Sequence, residues 1–181
     1  NPNIDLDAHH QLARRAAIES CVLLKNATDL LPINNRESVA LIGAFAKKPR
    51  FQGAGSSQVR PTQVDTLFDA LSESIDNLVY AEGFDAKHSE LDQGLIDEAV
   101  AAAKACSVAI VYAGLPGIYE SEGFDREHMQ LPEQHNLLIQ AVIQANSRTV
   151  VVLANGAPVE MPWIDQVPSV LEGYLAGQAS G

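Results

Sequence analysis

The chain has 181 residues, 46% of them hydrophobic and 19% charged, a size and balance that predict one folded unit with a real core and argue against disorder. Lys+Arg total 12 against 23 Asp+Glu, and the net charge of −11 argues against nucleic acid and anionic membranes as partners. The longest apolar stretch, Val108 to Leu115, is far short of the ~18 residues of a membrane-spanning helix, so a soluble chain is expected. Cys21 and Cys106 lie far apart in apolar segments, which predicts buried free thiols rather than a disulfide or metal site, and hence a reducing, cytoplasmic setting. The sequence opens Asn-Pro-Asn without an initiator Met or targeting segment and stops at Gly181 soon after a strand-like run, so a fragment of something longer is expected.

In chain order, Ala8 to Cys21 carries Leu12, Ala13, Ala16, Ala17 and Ser20 at helical spacing, with Asp7 as the expected N-cap. Cys21 to Leu24 is a short apolar run, and Leu30 to Asn35 reads as a turn. Val39 to Gly43 is a continuously apolar strand of the kind buried in parallel sheets, followed by the Gly/Ser loop Gly53 to Ser57. Thr62 to Ile75 is predicted helical and Leu78 to Tyr80 extended. The alternation then repeats: a helix over Leu95 to Ala105, a strand over Ser107 to Ala113, a helix over Pro132 to Gln144 with Pro near its first turn, a strand over Thr149 to Leu153 closed by Asn155-Gly156, and a last strand within Val167 to Tyr174. This order predicts a three-layer α/β/α sandwich around a mostly parallel sheet of five or six strands, truncated at the C-terminus, with 1–181 as one domain.

Ligands of open parallel sheets gather at the carboxyl ends of the strands, which singles out the loops after Gly43, Ala113 and Leu153. The middle loop is chemically richest, with four carboxylates in the eight positions from Glu120 to Glu127. In an extended segment Glu120 and Glu122 project to the same side, where mutual repulsion would push one pKa up and keep a general acid protonated. Tyr119 and Phe124 could exclude water, and Asp125-Arg126 is expected to form an ion pair. The alternative is a solvated acidic loop. Gly53 to Ser57 lacks the third glycine of a nucleotide fingerprint; it reads as a tight turn or as a rim against which a sugar or partner domain approaches. Histidines 9, 10, 88, 128 and 135 lack metal-ligand spacing, and no metal or cofactor is expected. Trp163 reads as a core anchor, with a sugar platform as the other option.

Several segments in order carry a resemblance: Leu12-Ala-Arg-Arg-Ala-Ala-Ile-Glu-Ser-Cys-Val-Leu-Leu-Lys-Asn26 with Leu30-Leu-Pro32, Val39 to Gly43, Gly53-Ala-Gly-Ser-Ser57, Glu120-Ser-Glu-Gly-Phe-Asp-Arg126, Val150 to Gly156, and Trp163-Ile-Asp165 before Gly177-Gln178. Together they resemble the C-terminal α/β sandwich domain of glycoside hydrolase family 3, the β-glucosidase family of retaining enzymes. The resemblance implies that Glu122 is the catalytic acid/base, with Glu120 as the alternative, and that Gly55, Ser56, Ser57 and Tyr119 border the substrate. It also implies a nucleophilic Asp on an N-terminal (β/α)8 barrel, with which the β-glucoside or oligosaccharide substrate is shared. The isolated chain is then expected to be inactive. A homo-oligomer stays open, and the readings from other classes are a noncatalytic flavodoxin-like ligand-binding or interaction module and a purely structural domain.

Overall fold

The computed structural model describes residues 4–86, 90–123 and 125–181; the Asn-Pro-Asn start, His88 and Phe124 lie outside the described residues. Among these residues six strands form one sheet: β1 (Val22–Asn26), β2 (Ser38–Ile42), β3 (Asn77–Ala81), β4 (Val108–Gly114), β5 (Thr149–Ala154) and β6 (Ser169–Glu172), in the order β1-β6-β5-β4-β2-β3. All neighbours are parallel except β1, which pairs antiparallel with β6 at one edge. The mostly parallel sheet read from the sequence is therefore present, and the apolar run after Cys21 supplies its antiparallel edge strand.

Among the described residues four α-helices accompany the sheet: α1 (Leu6–Ser20), α2 (Leu67–Ser74), α3 (Gln93–Ala105) and α4 (Glu133–Ala145). Crossovers between parallel strands are as a rule right-handed, and in this strand order, where β3 lies on one side of β2 and β4 on the other, that rule puts α2 on one face and α3 and α4 on the other. The side chains agree. Leu67 and Leu71 of α2 border one cavity with Val39, Ile110 and Val150, while Leu138 of α4 meets Ile42, of opposite strand parity, at Gly83. Every residue of β4 is buried, as a central strand covered on both faces requires.

Several boundaries differ from the sequence reading. Asp5, not Asp7, caps α1 by accepting from the Ala8 N–H at 2.9 Å. Only His10 and Ala17 of α1 are buried, and Leu12 lies exposed, because the helix packs on the Gly177–Ala179 turn rather than lying flat on the sheet. The segment before Leu67 is not helical: Thr66 is the N-cap, while His10 Nε2 holds Asp65 Oδ2 at 2.8 Å and the Asp65 N–H donates to the Gln178 carbonyl. Pro132 lies near the first turn of α4 as expected, as its N-cap residue, and the helix itself starts at Glu133. Both cysteines are free, but Cys21 is exposed and Cys106 half-buried, so they are not the enclosed core thiols that their apolar neighbours suggested. No helix of the described residues is long and apolar enough to cross a membrane. Trp163 is fully buried and its Nε1–H donates to Asn136 Oδ1 at 3.0 Å, the role of a core anchor.

Candidate active site

In the strand order the chain reverses at the boundary between β2 and β4: the connection leaving β2 departs over the face of α2, and that leaving β4 over the face of α4. A crevice at the carboxyl ends of the strands must open there, the point where doubly wound sheets bind ligands. Two glycines allow the turn into it. Gly43 (φ 127°) and Gly114 (φ 151°) sit at the ends of β2 and β4, and a Cβ at either would overlap the backbone carbonyl of the neighbouring strand, at Tyr112 and Ala154 respectively. The Gly114 N–H is also held by Nδ1 of buried His135, whose burial pushes its pKa down to about 4 and keeps the ring neutral.

The two loops meet through two carboxylates with different environments. Glu122 is exposed and reaches across to the turn Gly55–Ser57, where Ser56 Oγ donates to both carboxylate oxygens at 2.7 Å and the Ser56 N–H donates to Oε2 at 3.1 Å. Gly55 (φ 76°) makes this approach possible, since a Cβ there would lie 2.9 Å from Glu122 Oε2. Ser57 turns its hydroxyl back to the Ala54 carbonyl at 3.1 Å and does not join the contact. Tyr119 packs on the core and borders a separate cavity of about 520 Å³ beside the start of α4. Among the expected site residues, then, Gly55, Ser56 and Glu122 come together, whereas Ser57 and Tyr119 stand beside them.

Glu120 is enclosed. Its side chain is 10% exposed, accepts from the Gly156 N–H at 2.9 and 3.0 Å through its two oxygens, and lies 3.5 Å from the Arg50 guanidinium, itself 9% exposed. Arg50 also donates from Nε to the Leu115 carbonyl at 3.2 Å, and its burial pulls its pKa down while the Glu120 charge pushes it up. Three loops, after β2, β4 and β5, are thus clasped around one carboxylate.

The expected stacking of Glu120 and Glu122 on one side is corrected by this geometry. A 3-10 turn at Gly117–Tyr119 and the backbone of Glu120 (φ −131°, ψ 40°) break the extended conformation that alternation assumes. The expected rise in pKa is corrected with it for Glu122, which the Ser56 hydroxyl and then the Ser56 N–H hold below the usual carboxylate value. Arg126 does not pair with Asp125 among the described residues; its Nη1 donates to the Pro158 carbonyl at 3.0 Å and ties the β4 loop to the β5 loop.

Two contributors had no local signal. Arg50 lies in a loop far from Glu120 in sequence, and Gly156 reads only as part of a turn, although its N–H is the principal donor to Glu120. Glu172 was missed inside a strand. It is buried at the end of β6, accepts from Tyr174 N–H at 2.9 Å and from Asn155 Nδ2 at 3.2 Å, and burial pushes its pKa up. Among the described residues no group of His, Cys, Asp and Glu side chains is placed to hold a metal ion.

Residues 21–181 match the glycosyl hydrolase family 3 C-terminal domain. The chain belongs to that family. Among its relatives are the thermostable beta-glucosidase B of Acetivibrio thermocellus, 55% identical over all of this chain and 24% of that protein, and an exo-alpha-(1->6)-L-arabinopyranosidase of Bifidobacterium longum, 39% identical over all of this chain and 25% of that protein. The crystal structure of the Bifidobacterium adolescentis GH3 beta-glucosidase superposes with a TM-score of 0.94 at 42% identity, covering 99% of this chain and 26% of that one. The family 3 domain described here therefore spans about a quarter of the length of the curated relatives it matches.

Proposed function

We propose that this domain supplies the general acid/base, Glu122, of a retaining β-glycosidase acting on β-glucosides, and that the nucleophile is an Asp of a (β/α)8 barrel in the same enzyme. The observation that carries the choice is the contrast between the two carboxylates. Glu120 is committed to Gly156 and Arg50 within the fold, whereas Glu122 is exposed at the crevice and, among the described residues, is bound through Ser56, whose hydroxyl can donate or accept as the proton moves.

Retaining hydrolysis places two carboxyl groups about 5–5.5 Å apart across the scissile bond. In the first step the barrel Asp attacks the anomeric carbon, the glycosidic C–O bond breaks, and Glu122 gives its proton to the leaving oxygen. In the second, Glu122 takes a proton from water as the water oxygen displaces the Asp from the anomeric carbon. In the 181-residue chain the Ser56 bonds favour the carboxylate. An anionic Asp facing Glu122 in a closed, water-poor site raises its pKa and loads the acid; once that Asp is esterified the repulsion vanishes and Glu122 is released to act as base. The glycone pocket falls to the barrel, in keeping with relatives named for different glycones, a beta-glucosidase and an arabinopyranosidase.

With its nucleophile on another domain, the 181-residue chain has no hydrolytic activity by itself. Incubation with an aryl β-glucoside releases no phenol above background; turnover that Glu122→Gln abolishes would overturn the divided site.

A further inference from the structure

We propose that Glu120 and Arg126 are positioning residues, two pins that fasten the β4 loop on either side of Glu122 to one turn of the β5 loop, 155–158, and so aim the acid/base. This rests on Glu122 being the acid/base. In the sequence Glu120 stands two positions before Glu122 and Arg126 four positions after it.

Glu122 has little of its own to hold it. Its carboxylate is exposed and spans the crevice to Ser56, and the next residue, Gly123 (φ 82°), has no described atom within 4 Å of a Cβ placed there. A general acid works only within hydrogen-bond reach of the leaving oxygen, and a displacement of about 1 Å can cost about a hundredfold in rate. The loop must therefore be fixed at its flanks.

Both flanks go to the same turn. On one side the enclosed Glu120 accepts the Gly156 N–H through both oxygens at 2.9 and 3.0 Å; on the other, Arg126 Nη1 donates to the Pro158 carbonyl at 3.0 Å. The turn that receives them is itself tied down. Asn155 is buried and donates from Nδ2 to the Ala157 carbonyl at 3.1 Å, closing the turn, and to Glu172 Oε2 at 3.2 Å, fixing it to the end of β6. Since β4 lies between β5 and β2 in the sheet, the pins hold its loop from one side while Ser56 holds the Glu122 carboxylate from the other.

Fold stability does not account for Arg126. Its Nε and Nη2 are enclosed and have no hydrogen-bond partner among the described residues, and no carboxylate there pairs with it. Enclosing a guanidinium with donors unpaired is unfavourable, so an unbranched apolar side chain would serve the fold at least as well. What the arginine supplies beyond bulk is the bond to Pro158.

The test uses the full-length glycosidase and two substrates that differ in their need for an acid: phenyl β-glucoside, whose leaving oxygen must be protonated, and 2,4-dinitrophenyl β-glucoside, whose phenolate departs unaided. Arg126→Met is expected to lower kcat/KM for the phenyl compound by about tenfold to a hundredfold and for the dinitrophenyl compound by no more than about threefold, with a Tm not below the parent's. Arg126→Lys, which keeps a donor, recovers part of the loss. Glu120→Ala, assayed well below its Tm, shows the same selective loss. Equal losses on both substrates, no loss on either, or selectivity in only one of the two pin variants overturns the proposal. Glu122→Ala on the same pair separates it from the acid/base reading: a selective loss there keeps that reading whatever the pin variants do, and without one both fall.

Discussion

Replacing Glu120 with alanine separates a structural carboxylate from a catalytic one. The substitution removes the acceptor of the Gly156 N–H, bonded at 2.9 and 3.0 Å, and leaves the Arg50 guanidinium, 9% exposed, without its counter-charge. Breaking one side of a buried ion pair costs about 3–5 kcal/mol, and the orphaned N–H is part of that loss. Arg50 keeps its bond to the Leu115 carbonyl and the ion-pair contact is a long one at 3.5 Å, so the expected loss lies at the low end, about 3 kcal/mol. For a domain of this size that lowers Tm by about 6–12 °C. Thermal and urea unfolding at pH 7 measure it, with Glu122→Ala as the exposed control, expected to unfold close to the parent. Glu120→Gln, which keeps an acceptor for Gly156, should fall between the two. A loss below about 1 kcal/mol for Glu120→Ala would refute the clasp and remove the reason for setting Glu120 aside as the acid/base.

Two further substitutions probe the electrostatics. Ser56 stabilises the Glu122 carboxylate, so Ser56→Ala raises the Glu122 pKa; since the first chemical step needs the protonated acid, the basic limb of the kcat/KM profile of the full enzyme moves to higher pH, and an unmoved or lowered limb would contradict the contact. Glu172 has a folded-state pKa raised by burial, so the folded protein holds its proton more tightly than the unfolded chain, and stability falls as pH rises from about 4.5 through the raised value. Glu172→Gln removes this dependence. The stability of the variant relative to the parent should therefore grow across that window, and a gap that is constant or shrinks with pH would count against the burial argument.

The strands were readable because β2, β4 and β5 are continuously apolar, the pattern of a sheet covered on both faces, and the choice of loops followed from the rule that such sheets bind at their carboxyl ends. The strand order was not readable. The crevice between β2 and β4, which brings Ser56 against Glu122, depends on β4 returning to the far side of β2 from β3, and no local pattern encodes that return. The pairing of Glu120 with Glu122 failed for a local reason, since period-two alternation holds only for extended backbone and a 3-10 turn intervenes. Arg50 and the Gly156 N–H were invisible for a long-range one: they are partners only because three loops converge. Glu172 did leave a trace, a lone carboxylate in the otherwise uncharged run Ser169–Tyr174. The exposed Cys21 shows the converse, an apolar setting in sequence that an edge strand leaves uncovered.

The central claim, that Glu122 is the acid/base, is tested most directly in the full-length enzyme carrying Glu122→Ala. Without its general base the variant should stall at the glycosyl-enzyme on an aryl glucoside with a good leaving group, and azide, which needs no base, should restore turnover and yield the β-glycosyl azide with net retention. Rescue of Glu120→Ala by azide, with Glu122→Ala turning over normally, would contradict the claim.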